Sequence, residues 1–293
     1  MSVDPPAVAP PAADDRTVAL LRKVRQLGVT SFDVVDASNP ERAERLLARA
    51  FPEGDPAIIA LIGRSVDSLA RERAEDGEST SAGDVAAALS ASVERSRRRL
   101  APVTIGVLEW TPGTDEDPPS LPQVEPDRRT PPEVPNPLWS LRLRQSDRST
   151  PEPGEKLGLF SGSFSVLEPD LGSRFETSAT PSKAFLIVRD PFSGGRLDGS
   201  RFASRTALAG PTTPPLDVRR LHEEFDPVLQ LGFLTADHRR TLAQAALRFV
   251  LHWPWVATAV IPLPEPERLA EVLGFGATPP MLPDELDRIR RLK

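Results

Sequence analysis

SAGDVAAALSASVERSRRRL at residues 81–100, followed after Ala101 and Pro102 by VTIGVL at 103–108, is the stretch on which the fold turns. The first part sets Val85, Leu89, Val93 and Leu100 along one face of a helix. The second is a short apolar run of the kind shown by a strand buried on both faces. A helix feeding straight into such a strand is the unit of a parallel sheet with helices packed outside it.

The same alternation extends upstream. Thr17 to Leu27 has helical spacing and Gly28 is a natural stop, and Thr30 to Val35 reads as a strand. Pro40 to Ala50 is predicted as a helix with Pro in its first turn, Asn39 as N-cap and Leu46 and Leu47 facing inward. Ala57 to Ile62, ended by Gly63, is the next strand. Downstream the pattern breaks, because Thr111 to Pro137 is a scatter of Pro, Asp and Glu that cannot hold a helix. Leu138 to Leu143 resumes as a strand alternating around Trp139, and Leu157 to Leu167 and Ala184 to Val188 follow it. Thr235 to His252 is the strongest helix after residue 200, with Leu242, Ala246, Phe249 and Val250 on its buried side. Val256 to Ile261 is the last strand, and Pro266 to Leu273 and Pro283 to Leu292 close the chain as helices.

Composition narrows the function. A chain of 293 residues with 39% hydrophobic and 27% charged residues is globular and long enough for one α/β barrel. A net charge of −6 offers no basic field for nucleic acid or anionic lipid. No apolar run reaches the roughly 20 residues of a bilayer span. Residues 1–15 are Pro/Ala-rich and acidic, which reads as a flexible arm rather than a signal peptide and favours the cytoplasm. With no cysteine there is no thiolate nucleophile or thiolate metal site, and His222, His238 and His252 share no ligand spacing with carboxylates, so no metal is expected. His252 beside Trp253 and Trp255 reads as packing.

Several segments resemble the aldo-keto reductase superfamily, in order and at suitable spacing. Leu27 to Asp33 is similar to the entry into that family's second strand, and Ser92 to Trp110 to its helix and fourth strand. Phe164 to Leu167, Phe185 to Gly195, Ala243 to Val250 with Val260 to Pro262, and Glu267 to Glu271 resemble four later blocks. The resemblance spans roughly residues 17–292 and implies an α/β fold, a (β/α)8 TIM barrel of aldo-keto reductase type over residues 16–293. Seven clear strand candidates leave open whether the first strand is degraded, and residues 111–137 replace the helix after the fourth strand with a Pro-rich acidic loop. Periodicity alone leaves a doubly wound open sheet as the alternative.

The resemblance also implies NADP(H) and a tetrad of Tyr, Lys, Asp and His at the C-terminal mouth of the barrel. Asp33 stands at the aspartate position; the tyrosine position falls near Ser38 in a chain without tyrosine; the lysine would close the strand around Leu61 to Gly63; the histidine is Glu109. On the cofactor side the Ser-Asn pair falls at Gln145 and Ser146, and the glutamine at Ser161. The pyrophosphate clasp becomes Asp190-Pro191-Phe192 beside Arg189, and the closing glycine becomes Leu263. Arg268 and Glu271 match adenosine-binding positions, but the asparagine after them is Val272. NADP(H) binding is therefore expected to be weakened or lost.

Three functions compete on these residues. The first is a degenerate barrel with a binding or scaffolding role, for a small molecule at the mouth or a protein partner. The second is an NADP(H)-dependent oxidoreductase with an altered proton donor. The third is a redox-neutral acid/base enzyme using Asp33 and Glu109, with Asp36, Arg64 and Asp190 as neighbours. Against the third stands a relic Asp33 paired to Arg64. Arg189-Asp190 with Gly194-Gly195 reads either as an anion clasp or as an ordinary turn. Trp110 is expected at the mouth, and the 111–137 loop could receive an extended partner or simply be solvated.

Overall fold

The computed structural model describes residues 11–35, 39–55, 57–65, 68–69, 85–112, 138–143, 158–177, 184–201 and 218–292. The expected first strand, Asp36 and Ser38, most of the Pro-rich loop, and Gln145-Ser146 lie outside these residues. The chain divides into two compact units, one of residues 1–143 with 151–161, the other of 144–150 with 162–293.

The first unit opens with α1 (Pro11–Gln26), followed by β1 (Ser31–Asp33), α2 (Pro40–Ala50), β2 (Ile59–Ser65), α3 (Val85–Leu100), β3 (Thr104–Thr111), β4 (Leu138–Arg142) and the start of β5 (Leu159–Ser163). Helix α1 begins at Pro11, so the expected arm gives up its last five residues to it. Proline suits a first helical turn, and Asp14 and Asp15 favour the positive end of the helix dipole. Both also pair forward onto α2, Asp14 with Arg42 and Asp15 with Arg49. Helix α2 starts as its sequence prescribes, the Asn39 side chain accepting from the Arg42 N–H at 3.0 Å.

Each strand of this unit pairs in parallel with the next: β1 with β2, β2 with β3, β3 with β4, β4 with β5. Between Ala60 and Leu61 the register with β3 shifts, and Gly106 is the extra residue. A Cβ there would stand 2.8 Å from that of Ile59, so the bulge needs glycine. Phe32, Ile62, Leu89, Leu100, Leu108 and Trp110 are among its fully buried side chains.

In the second unit β5 ends in a turn where Ser165 and Glu168 exchange backbone hydrogen bonds, four residues short of the expected Leu167. It continues through α4 (Asp170–Thr177), β6 (Phe185–Arg189), α5 (Val218–Leu229), α6 (Leu242–Val250), β7 (Val256–Ala259), α7 (Leu269–Leu273) and α8 (Pro283–Arg291). The Phe164 N–H donates to the Arg189 carbonyl at 3.2 Å, and β6 pairs in parallel with β7. The helix expected from Thr235 begins only at Leu242. His238 adopts a positive φ of 56°, which no helix accommodates, and Thr241 with Gln244 forms a capping box. Helices α4 and α5 have no counterpart in the sequence reading. Trp253 and Trp255 stack at 5.8 Å in an aromatic cluster with Phe164, Phe175 and Phe249, and the His252 ring meets Trp253 edge-on. They are core, as the packing reading expects.

Candidate functional site

Side chains alternate between the two faces of a strand, and Cα partners in a parallel pair share a face. Asp33 pairs with Leu61 and Leu61 with Val107, so Asp33, Leu61, Gly63, Val107 and Glu109 lie on one face of the first unit's sheet. Glu109 pairs with Ser140, and Arg142 with Ser161, which adds three more polar residues to that face. The opposite face carries Arg64, Trp110 and Leu141 in one row.

Arg64 identifies the helix-covered face. Its guanidinium hydrogen-bonds Ser92 and Ser96 of α3 and lies 3.9 Å from Glu44 of α2. Glu44 is fully buried and also takes the Ser96 hydroxyl at 2.5 Å and Arg99 at 2.5 Å. The expectation that Arg64 neighbours Asp33 is corrected here: three residues separate Arg64 from Leu61, an odd step that turns it to the other face. Trp110 is corrected on the same ground, being 1% exposed on the helix side instead of lining a mouth.

On the face turned away from α2 and α3, Asp33 is fully buried and accepts the Val35 N–H at 3.0 Å. Glu109 is equally buried and accepts from Arg142 Nε at 2.7 Å. The two carboxylates share the face but stand two strands and one two-residue step apart, about 12 Å between Cα atoms. Ser140 and Ser161 are fully buried beside the Glu109–Arg142 pair, and neither hydroxyl has a hydrogen-bond partner. Of the positions where a lysine would stand, the two on this face are Leu61 and Gly63. A Cβ on Gly63 would lie 2.4 Å from Val35 Cγ1, so Gly63 has no room for any side chain.

Sequence reasoning missed Arg142 as the partner of Glu109. The signal was present: polar residues at Ser140 and Arg142 recur with period two in a strand otherwise suited to burial on both sides.

The second unit holds the remaining candidates. Arg189 ends β6, is 6% exposed, and its carbonyl accepts from Phe164. Asp190 follows at a positive φ of 51°, and both its carboxylate oxygens meet the Gly194 N–H, at 2.7 and 2.8 Å. Ser193, Gly194 and Gly195 are likewise left-handed, the run expected of an anion-holding nest. The occupant of its Gly194 amide is the chain's own carboxylate. Asp190 keeps much of its surface in water, yet burial of the carboxyl raises its pKa above the usual value. The Gly194 N–H works against that rise, as does Arg196, while Glu168 and Asp198 add to it. Arg268 lies 3.2 Å from Asp198 and 3.2 Å from Glu271, so two carboxylates answer its charge.

No protein-family model matches the chain, and no curated protein does. Solved structures do. An aldo-keto reductase from Bacillus halodurans in its holo form matches with TM-score 0.61 and 16% identity over 95% of this chain and 87% of its own. One from Klebsiella pneumoniae in complex with NADPH matches with TM-score 0.63 and 15% identity over 100% and 89%. A thermostable aldo-keto reductase in complex with the inhibitor epalrestat gives 0.60 and 14% over 100% and 94%. The fold is that of the aldo-keto reductases. Likeness at such identity speaks for fold alone. It decides between the two architectures that periodicity left open: the aldo-keto reductase type stands and the doubly wound sheet falls.

Proposed function

We propose that this chain is a divergent aldo-keto reductase-family barrel that does not run the family's NADPH-dependent carbonyl reduction and instead binds a small molecule. The observation that carries the reading is Glu109, which occupies the position implied for the catalytic histidine and is engaged by Arg142 at 2.7 Å. Reduction of a carbonyl needs an acid positioned at the oxygen that gains charge as hydride arrives. The chain has no tyrosine to serve, and Gly63 cannot carry the supporting lysine.

The cofactor side supports the same reading. A dinucleotide phosphate seeks amide N–H groups and unopposed cations. Here the Gly194 amide is taken by Asp190, and Arg268 is answered by Asp198 and Glu271. These residues do not fit NADP(H) held in the family's manner, and no step is derived through it.

The test is a titration of purified protein with NADPH and NADH, followed by calorimetry and by the fluorescence of its four tryptophans. The reading expects no saturation up to about 1 mM, an affinity near −4 kcal/mol. Micromolar binding with NADPH oxidation over a carbonyl panel would replace it by the second reading, an oxidoreductase with an altered proton donor. That reading draws on Asp33, Arg268 and Glu271, and on the NADPH complex of the Klebsiella pneumoniae structure. The acid/base reading keeps one favourable observation, that Asp33 and Glu109 share a face; against it, Glu109 is held in an ion pair.

A further inference from the structure

Two buried hydroxyls are the least explained groups in the molecule. Ser140 and Ser161 are both 0% exposed, and neither Oγ has a hydrogen-bond partner. Buried polar groups are nearly always satisfied, and an orphaned hydroxyl costs stability with nothing in return. Two on one face of adjacent strands call for a common explanation.

Their surroundings define what could satisfy them. Ser140 pairs with Glu109 across β3 and β4, and Arg142 pairs with Ser161 across β4 and β5. The four residues form a patch in which the ion pair lies corner to corner with the two hydroxyls. From strand spacing and rise, the serine Cα atoms are about 8 Å apart. Because Glu109 and Arg142 answer each other at 2.7 Å, the patch has no net charge. An anionic ligand would meet the carboxylate and a cationic one the guanidinium, each without a counter-charge of its own. Serine hydroxyls both donate and accept, and the groups that complement them in both roles are other hydroxyls.

We propose that Ser140, Ser161 and the Glu109–Arg142 pair form a subsite for an uncharged polyhydroxylated small molecule. The 8 Å spacing suits a chain of about three to six carbons. This deepens the small-molecule reading above and rests on it.

The full chain would be titrated by calorimetry and ligand-observed NMR with glycerol, erythritol, xylitol and sorbitol. Gluconate, glycerate and glucosamine serve as charged counterparts. At least one neutral polyol is expected to saturate below about 100 mM, and its charged relative to bind more weakly. Ser140→Ala and Ser161→Ala should each raise the Kd about 10-fold, since each deletes one hydrogen bond in a water-poor setting. The unliganded alanine variants should melt no lower than the native protein, because a group without a partner is all they lose. Ser140→Thr, which keeps the hydroxyl and adds a methyl, should also block binding. It guards against a fold defect in the alanine variants. No saturation by any neutral polyol, preference for the charged relatives, or affinity untouched by both alanine variants would overturn the proposal. So would a lowered melting temperature in both alanine variants without a change in Kd, the mark of a bridging water only. NADPH oxidation is followed in separate samples: turnover there sinks the loss of reductase chemistry, whereas a flat polyol titration sinks the subsite.

Discussion

Replacing Glu109 by Gln removes the charge that Arg142 answers and leaves a guanidinium that is only 23% exposed beside a neutral amide. Breaking a buried pair from one side is costly, and with Arg142 partly hydrated the loss should be about 2 kcal/mol, read from urea denaturation. Glu109→His, which restores the residue implied by the resemblance, should give no NADPH-dependent carbonyl turnover; measurable turnover would show that a missing histidine alone silences the site. Asp190 makes a prediction in pH. Its folded pKa is raised above the ordinary 3.8, chiefly by burial, so the folded state holds the proton longer than the unfolded chain. Stability therefore falls as pH rises through that window, and Asp190→Asn should gain on the native protein above it and match it below. Denaturation midpoints of the two proteins between about pH 3 and 7 check the sign. Asp33 and Glu109 were legible in sequence because each ends or nearly ends an apolar run. Arg142 and the two serines were not, since pairing across strands depends on register, which one sequence does not display.

Among the elements, β2 is the most constrained. Its Gly63 faces Val35 so closely that Gly63→Ala should cost about 1–3 kcal/mol, and Val35→Ala in the same chain should return part of it. A double mutant no better than the sum of its parts would place the strain elsewhere. Arg64, one residue on, holds α2 and α3 to the strand through Glu44, Ser92 and Ser96. Arg64→Met leaves Glu44 to Arg99 alone and should cost about 3 kcal/mol while leaving any ligand affinity unchanged. The apolar face of α3 was readable because it repeats at helical period. The polar knot on the same helix was not, because Ser92 and Ser96, four residues apart, look like an ordinary solvated face. Helix α6 was readable in its centre only; its start depends on the left-handed His238 and on Thr241, local events that periodicity averages away.

At the scale of the whole molecule, the order of short blocks did more than any one of them. Six weak resemblances in sequence agree with an aldo-keto reductase fold matched at 14–16% identity in three solved structures, where neither a family model nor a curated protein matches. Core-forming patterns survive such divergence because many apolar residues satisfy them, whereas a catalytic constellation is lost one side chain at a time. No helix among the described residues is long and apolar enough to cross a membrane. The contact between Gly63 and Val35 also constrains the chain's history. A descendant that regained a long side chain at residue 63 would first have to shrink Val35, opening a void before any catalytic return appeared. Each single step downhill in stability would be exposed to selection with nothing to recommend it. The path back is barred by order of substitution rather than by distance, so the lineage carrying this contact is held on its present side of a ratchet.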